Sequence, residues 1–436
     1  MNIIRRTNYS KDKLLTYLFC TILTIFLVLR DIFAVSINKY LYLVVVIVFM
    51  GIASYEVAMD MMSFILPLLC GLPSNYIFIF FLLKMIWSKK INKKITVIYL
   101  FYILLWEVSG ILLYTQLLDN ELLKQVVFTW IFFSILFCEG KMDYYNKLKM
   151  YLLGTVLVCL VIIIYSISRA PSNWLYLFSQ GWYRFGDVAL DGIDGMTLRL
   201  NSNSLAYFSI IGIMVAIVLI RSRKGLINII YSIFAFILII AGFLSVSRSW
   251  ILVAVFCSFI WILSEMKGIK GLIITILSFL IGGFLISRII AEYPELLDGI
   301  LARLMDKSAA GGNGRTELMS EYGKRIIDNV GLLLFGSGAA HYRQAYKMDT
   351  SIHNGSMQIL LSYGVIGGGI FIIGMVYPLY RLIHNSTKKI KLFYWLPLFS
   401  IIMFAQTIQF VNPAYLMMPY IIGVYAIRLG MEREEK

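Results

Sequence analysis

The chain has 436 residues, of which 60% are hydrophobic and only 14% are charged. Soluble domains carry about 25% charged residues, so this composition excludes an ordinary soluble fold. The net charge of +15 lies mainly in short loops between apolar segments, which is the positive-inside pattern of membrane proteins rather than a nucleic-acid surface. We therefore expect no nucleic acid partner.

Several apolar segments are long enough to cross a bilayer, which needs about 20 residues per helix. Met150–Ile167, Leu226–Leu244 and Gly271–Ser287 contain no charged residue and show no polar face. Outer-membrane barrels are excluded because their strands alternate apolar and polar positions. We predict an all-α polytopic membrane helix bundle of about 12–14 transmembrane helices. It forms a single membrane domain over residues 1–436.

Basic loops predict the sidedness of these spans, because Lys and Arg are retained in the cytoplasm. The predicted cytoplasmic segments are the N-terminus, Ser88–Lys94, Glu139–Lys149, Arg221–Lys224, Glu265–Lys270, Arg381–Lys391 and the tail from Met431. The segments between them are then external: Leu118–Lys124, Arg169–Ser202, Ser245–Ser249, Ile289–His353 and Asn412–Pro413. Within this alternation, Met61–Trp87 forms either two short crossings or one re-entrant hairpin.

The longest external segment, residues 289–353, is predicted to be a folded cap carrying amphipathic helices. Ile289–Met305 has apolar residues at helical spacing, suited to lying on the membrane surface. Thr316–Asn329 predicts a second amphipathic helix with one apolar side, formed by Leu318, Tyr322, Ile326 and Ile327.

Charged groups at the edges of apolar spans are candidates for function, because they are costly to bury. Four arginines of the external set lie beside spans or at the start of a surface helix, and together they predict an anion site: Arg199, Arg248, Arg315 and Arg343. The alternative for Arg248 is an interfacial side chain that marks the membrane boundary. Asn203 either binds sugar hydroxyls or caps a helix starting near Ser204.

The two external histidines, His341 and His353, are candidate general bases because histidine titrates near neutrality. The alternative for His353, which precedes Asn354, is a capping or interfacial role. No third ligand of suitable spacing joins the pair, so we expect no metal. Glu56 and Glu107 stand within apolar stretches, and the sequence does not identify their partners.

Four short motifs follow one another in the second half of the chain. They are Asn313-Gly314-Arg315-Thr316, Leu334-Phe335-Gly336-Ser337-Gly338, a stretch containing His353-Asn354-Gly355, and Tyr363-Gly364-Val365-Ile366-Gly367. Their order and loop placement resemble the O-antigen polymerase and O-antigen ligase superfamily. The Ser247-Arg248 step and the segment around Asn203 resemble upstream positions of the same families, so the resemblance covers about residues 199–370.

The resemblance implies a metal-independent glycosyltransferase without cofactors, acting at the outer membrane face on a glycan carried by a polyprenyl diphosphate. The diphosphate is then expected at Arg248, Arg315 and Arg199, and His353 is the expected base. The remaining expected substrate-binding residues are Asn203, Arg343, Asn354, Trp182 and Tyr183, with the last two packing sugar faces.

Polymerase and ligase share this chemistry and differ in the acceptor. The abundance of Ile, Lys and Asn is typical of AT-rich genomes, many of them Gram-positive, which favours a polymerase of capsular polysaccharide, exopolysaccharide or O-antigen chains. The alternatives are a ligase and, in another class, a flippase for lipid-linked oligosaccharides, although the paired halves typical of transporters are not visible. Expected partners are the lipid-linked glycan, membrane lipid, a flippase and a chain-length regulator. The expected location is the plasma membrane, with both termini cytoplasmic.

Overall fold

A computed structural model shows a bundle of α-helices, with no β-strand among the residues that it describes. The described residues are 2–71, 77–88, 92–138, 142–180, 183–186, 201–223, 225–265, 315–384, 389–413 and 416–435, with the single positions 284, 287, 288, 291, 292 and 298. The predicted fold class, an all-α polytopic membrane helix bundle, is confirmed.

The helices of the first half are α1 (Asn2–Asp31), α2 (Lys39–Ile52), α3 (Tyr55–Ile65), α4 (Ile77–Trp87), α5 (Lys93–Gly110), α6 (Asn120–Leu136), α7 (Tyr144–Ser168) and α8 (Trp174–Ser179). A 3₁₀ turn at Leu66–Gly71 continues α3, and a π-helical turn at Ile111–Thr115 continues α5. Polar side chains cap many helix starts by accepting hydrogen bonds from first-turn N–H groups; examples are Asn38, Ser54, Asn92, Asp119, Asp143 and Asn201.

The helices of the second half are α9 (Ser202–Ser222), α10 (Ile227–Leu244), α11 (Arg248–Glu265), α12 (Arg315–Ile327), α13 (Val330–Phe335), α14 (Tyr342–Ala345), α15 (Gly355–His384), α16 (Leu396–Ala405) and α17 (Tyr420–Glu435). A 3₁₀ turn at Leu392–Trp395 leads into α16. α15 is kinked at Gly364, whose φ of 65° is not helical.

Six described helices are long and apolar enough to cross a membrane: Lys11–Asp31, Lys93–Thr115, Tyr144–Ser168, Ser202–Ser222, Ile227–Leu244 and Gly355–His384. Their outer faces expose large apolar side chains, such as Ile229, Ile233 and Phe236 on α10, which suits lipid rather than water. The predicted span in Gly271–Ser287 lies outside the described residues except at two positions. The total of about 12–14 spans therefore stays a prediction.

Helix α7 relates the two ends of the bundle, because its 25 residues extend about 37 Å at 1.5 Å per residue. At its start, the Arg223 guanidinium lies 4.1 Å from the centre of the Tyr145 ring. At its last turn, the Ser166 carbonyl accepts a hydrogen bond of 2.6 Å from the Tyr183 hydroxyl. We call the first the basic end and the second the site end.

The basic end gathers loops that the charge pattern assigns to the cytoplasm. Lys391 forms an ion pair of 2.7 Å with Glu434 in the C-terminal segment. Close by, Lys147 is fully buried and pairs with Asp60 at 3.1 Å, so its charge is compensated inside the protein. The sidedness of these loops stays a prediction.

In the Met61–Trp87 region, α3 and its 3₁₀ turn run beside α7 from the basic end, and α4 packs against α3. The contact with α7 is close at Gly154, where an added Cβ would collide with the Phe64 carbonyl oxygen. Residues 72–76, which connect the 3₁₀ turn to α4, lie outside the described residues. Two short crossings and one re-entrant hairpin therefore both remain open.

The described part of the cap, residues 315–353, folds around its own apolar cluster. Tyr322 and Ile326 of α12 pack with Leu332, Tyr342 and Tyr346, all nearly inaccessible. The predicted second amphipathic helix is confirmed, but the assignment of Ile327 to its apolar side is wrong, because this side chain is 69% exposed. The predicted helix at Ile289–Met305 lies outside the described residues except at isolated positions.

We predict that Gly154→Ala destabilises the fold whereas Gly51→Ala does not. Both glycines lie inside helices, but an added Cβ at Gly51 meets nothing within 4 Å, while at Gly154 it meets backbone. Overpacking of this kind costs about 1–3 kcal/mol. Thermal unfolding of the two purified variants in detergent measures the difference. Equal melting temperatures would contradict the close packing of α3 on α7.

Candidate functional site

Glu107 of α5 is the one buried carboxylate that organises the site end among the residues described. Only 1% of Glu107 is exposed, and its Oε1 and Oε2 both accept hydrogen bonds of 3.0 Å from Ala339 N–H. Oε2 accepts another of 3.1 Å from Ala340 N–H, and the Tyr363 hydroxyl lies 3.5 Å from Oε1. Such bonds to a buried carboxylate offset its desolvation. The partner that the sequence left open is therefore the backbone that follows Gly338.

The turn over Gly336–Gly338 lies against the kink of α15. Ser337 N–H donates to the Leu361 carbonyl at 3.1 Å, and Gly338 N–H donates to the Ser362 carbonyl at 2.8 Å. Gly336 and Gly338 have φ of 71° and 77°, values that favour glycine. The turn thus uses carbonyl groups that the kink of α15 releases from helical hydrogen bonding.

Two motifs of the resemblance, Leu334–Gly338 and Tyr363–Gly367, pack directly on each other. An added Cβ at Gly336 would collide with Gly364 N, and one at Gly364 would collide with the Leu334 carbonyl. An added Cβ at Gly110 of α5 would collide with the Ser337 carbonyl oxygen. Three chain segments therefore approach at backbone distance, which only glycine permits at these positions.

Aromatic side chains of α5 secure the same region of α15 from the other side. Trp106 Nε1 donates to the Tyr363 carbonyl at 2.9 Å, which the kink leaves available. The Tyr102 hydroxyl donates to the Gly367 carbonyl at 2.8 Å, and an added Cβ at Gly367 would collide with the Trp106 ring. The Gly-X-X-Gly spacing after Tyr363 thus serves the packing of α5 against α15.

Two amide side chains extend this network to the segment after α16. Asn412 Nδ2 donates to the Ala339 carbonyl at 2.7 Å, on the opposite side of the turn from Glu107. Gln358 of α15 accepts hydrogen bonds from Phe410 and Val411 N–H at 2.7 and 2.8 Å, and it donates to the Asn412 carbonyl at 2.8 Å. The turn is therefore held from both sides by polar side chains, the buried Glu107 and the half-buried Asn412.

His341 emerges from this clamped turn and meets Asp119, the cap of α6. Its Nε2 lies 3.1 Å from Asp119 Oδ1, and the His341 side chain is 6% exposed. Desolvation pushes the pKa of the Asp119 carboxyl upward, but hydrogen bonds from first-turn N–H groups of α6 and the neighbouring His341 outweigh it and hold that pKa below its usual range. An ionised carboxylate only accepts hydrogen bonds, so Nε2 carries a proton in this pair.

The sequence identified His341 as a candidate, but it did not identify Asp119. Asp119 is a residue type favoured at helix caps, and Glu121 follows in what would be the first helical turn, which is a recognisable cap signal. Its pairing with His341 joins residues 222 apart and has no local signal. Within the described ranges no three His, Cys, Asp or Glu side chains come together as a set of metal ligands.

His353 lies in the turn that leads into α15 and is half-buried. The preceding Ile352 N–H donates to the Tyr342 hydroxyl at 3.1 Å, and the following Asn354 caps α15 through its Oδ1, which accepts from Met357 N–H at 2.9 Å. Burial raises the pKa of the Tyr342 hydroxyl, which therefore stays neutral. The histidine is thus placed by firmly bonded neighbours on both sides.

Asn354 makes a second bond that ties this turn to the end of α16. Its Nδ2 donates to the Gln406 carbonyl at 3.2 Å, and the Ser356 hydroxyl donates to Gln406 Oε1 at 2.9 Å. Its side chain therefore has structural bonds at both polar atoms. The expectation that Asn354 binds substrate is not tested by these contacts, but they provide a complete structural role for it.

Arg248 opens α11, directly after a strained break between α10 and α11. Val246 has φ of 48° and is only 4% exposed, although branched residues rarely adopt positive φ. Such strain persists only where the surroundings enforce it, and it is frequent at functional sites. The helix start also adds a partial positive charge beside Arg248, a half-buried residue.

Asn203 lies next to this break, since Ser247 Oγ donates to its Oδ1 at 3.2 Å. The reading of Asn203 as a helix cap is wrong: α9 begins at Ser202, and the cap is Asn201, whose Oδ1 accepts from Ser204 N–H at 2.8 Å. Asn203 therefore faces the Ser247-Arg248 step from the first turn of α9. The structure therefore brings together Asn203 and the Ser247-Arg248 step, two segments that carry the resemblance.

The end of α16 lies between the two candidate residues Arg248 and His353. α11 starts at the site end, α16 ends there, and the two helices pack against each other. Gln406, the residue after α16, then bonds to the turn after His353. Both candidates therefore lie at the site end, opposite the basic loops.

The other predicted site residues divide into three groups. Arg199 and Trp182 lie outside the described residues, and so does the side chain of Arg315, whose backbone begins α12. Arg343 of α14 is exposed, and its Nη1 donates to the Asp349 carbonyl at 3.2 Å. Tyr183 is described and buried.

The expectation that Tyr183 packs a sugar face is not supported. The residue is 7% exposed, its hydroxyl donates to Ser166, and its ring lies among Trp174 and Phe185 at centroid distances of 6.4 and 5.7 Å. An aromatic residue in a loop beside apolar helices gains more from burial than from exposure. The ring anchors the loop to α7.

The fold and the site end together define a helical membrane protein with a polar centre at one end of its bundle. No protein-family model matches the chain, and no curated protein matches it.

We predict that Glu107→Leu lowers stability, whereas Glu56→Leu leaves it unchanged. Leucine removes both acceptor oxygens from the Ala339 and Ala340 N–H groups, while Glu56 is exposed in the first turn of α3. Leaving such donors unsatisfied costs about 1–3 kcal/mol. Melting temperatures in detergent test this, and an unchanged value for the Glu107 variant would refute the clamp.

Proposed function

We propose that this chain is a membrane glycosyltransferase that polymerises polyprenyl-diphosphate-linked oligosaccharide repeat units at the outer face of the plasma membrane. The observation that carries the proposal is the convergence of the motifs that resemble O-antigen polymerases and ligases. Two of them pack glycine against glycine at Gly336 and Gly364, and they hold the turns that bear His341 and His353 at the site end. Motifs that recur by chance have no reason to converge in this way.

In this proposal, arginine stabilises the leaving diphosphate. The acceptor hydroxyl oxygen attacks the anomeric carbon of the donor sugar, and the bond from that carbon to the diphosphate oxygen breaks with its electron pair on the diphosphate. Arg248 at the start of α11 provides a charge that is present at any working pH and two parallel N–H donors. Arg315 and Arg199 are proposed as further contacts to the same group, and Asn203 and Arg343 as contacts to the glycan.

The proton of the acceptor hydroxyl passes to His353. Partial exposure makes this imidazole accessible to an acceptor, whereas the His341 side chain is only 6% exposed. The His341–Asp119 pair is better suited to holding the turn of the cap against the start of α6. Variants of His353 are therefore expected to lose activity, whereas variants of His341 are expected to lose stability.

The proposed orientation places the basic end in the cytoplasm, with both termini, and the cap of residues 289–353 outside. Clustering of Arg223, Lys391 and Arg428 at one end supports it, because cytoplasmic loops carry an excess of Lys and Arg. A lipid-linked donor would then reach the site end from the outer leaflet. A ligase that transfers finished glycan to a surface acceptor would use the same machinery, and the acceptor distinguishes the two.

We predict that Arg248→Ala abolishes polymer formation by purified protein supplied with a polyprenyl-diphosphate-linked repeat unit. Loss of one positioned donor to a developing charge costs about 10²–10³ in rate. Arg248→Lys keeps the charge but not the paired donors, so an intermediate rate is expected. Lys124→Ala, which removes a partly exposed cation at the same end that pairs with Glu121, is the matched control. Wild-type polymer from the Ala variant at a normal protein level would remove Arg248 from the mechanism.

We predict that His353→Gln lowers the rate by about 10²–10⁴ at unchanged melting temperature, because glutamine retains hydrogen bonding but cannot accept the proton. His341→Gln is expected to lower the melting temperature, because it disturbs the contact of the buried His341 side chain with Asp119. Rates and melting temperatures of both variants separate the roles. A larger rate loss for His341→Gln without destabilisation would show that the general base is His341 and not His353.

A further inference from the structure

A cavity of about 370 Å³ opens at the basic end, away from every residue of the proposed reaction. It lies between the start of α5, the end of α6 and the last turns of α15 and α17. One turn further into the bundle, Tyr99 of α5 packs against Gly374 of α15, where an added Cβ would collide with the tyrosine hydroxyl. Tyr99 also stacks on Phe137, a wall residue, at 5.5 Å. The helices are therefore joined above the cavity.

The charged lining of the cavity is cationic. Arg381 and Arg428 line it together with Asn92, and the described lining contains no acidic side chain. Arg428 Nη1 donates to the Tyr144 hydroxyl at 3.0 Å, whereas its Nε is buried and has no hydrogen-bond partner among the described residues. A buried guanidinium donor without a partner costs free energy that an anion offsets.

The rest of the lining is apolar and leads to the outer face of α15. Ile95, Leu136 and Phe137 form walls, and Tyr377 lines the cavity while 47% of it stays exposed. On the same helix, Ile373 and Tyr380 are 63% and 59% exposed at three- to four-residue spacing. A cationic cleft that continues into an apolar stripe suits a molecule with an anionic head and a hydrocarbon tail.

We propose that this cavity binds the phosphate group of a membrane lipid, with Arg381 and Arg428 on the phosphate oxygens and an acyl chain along α15. Clusters of basic groups between helices on the cytoplasmic side are suited to lipid head groups. The site is separate from the proposed glycosyl transfer, because it lies about the length of α7 from the site end. It therefore stands or falls independently of that function.

The test measures lipid retained by purified protein in native mass spectrometry, after exchange into neutral detergent containing phosphatidylglycerol. Wild-type protein is expected to retain one phosphatidylglycerol. Arg381→Gln with Arg428→Gln is expected to weaken retention about tenfold or more, since bonds to charged groups contribute about 1.5–3 kcal/mol. Arg433→Gln, which removes an exposed charge at the same end, is the matched control and is expected to retain the lipid.

A second arm compares thermal stabilisation by phosphatidylglycerol and by millimolar inorganic phosphate. Stabilisation by the lipid alone identifies a head group whose tail contributes, and equal stabilisation by both identifies a site for phosphate itself. If the double variant fails to fold, Arg381→Gln alone decides, because this side chain is exposed and its loss spares the contact of Arg428 with Tyr144. Neither ligand stabilising the wild type, or equal retention by the folded variants and the wild type, would overturn the proposal.

Discussion

The site end depends on one constraint: the carboxylate of Glu107 lies inside the helix bundle and must be satisfied there. Its bonds to Ala339 and Ala340 N–H hold the turn of the cap against α5, although the turn and α5 are far apart in sequence. Asn412 then binds the carbonyl side of the same turn, so the segment after α16 is tied in as well. A buried carboxylate is costly unless satisfied in full, and this cost makes the arrangement specific.

Close backbone contact is the second element of this design. Gly110, Gly336 and Gly364 lie where three segments touch, and a methyl group at any of them would meet backbone atoms. The kink at Gly364 also releases carbonyl groups, which accept bonds from Ser337 and Gly338. The glycine motifs that resemble those of polysaccharide polymerases and ligases are thus structural, because they position the turns that bear the histidines.

The two ends of the bundle divide the polar chemistry of the protein. The site end presents Arg248 beside the strained Val246, with the His341–Asp119 pair and His353 held by the cap. The basic end presents the cavity between Arg381 and Arg428, suited to an anionic lipid. The helix faces between the two ends expose large apolar side chains, which suits the hydrocarbon of a bilayer.

The sequence by itself determined the fold class and the presence of an amphipathic helix, which the structure has at Arg315–Ile327. These follow from local composition and from periodicity within a single helix. Only the tertiary structure decided the partner of Glu107, the pairing of His341 with Asp119 and the burial of Tyr183. It also showed that the cap of α9 is Asn201 and not Asn203. Such contacts join residues up to hundreds of positions apart, and their free energy depends on desolvation that no local pattern records.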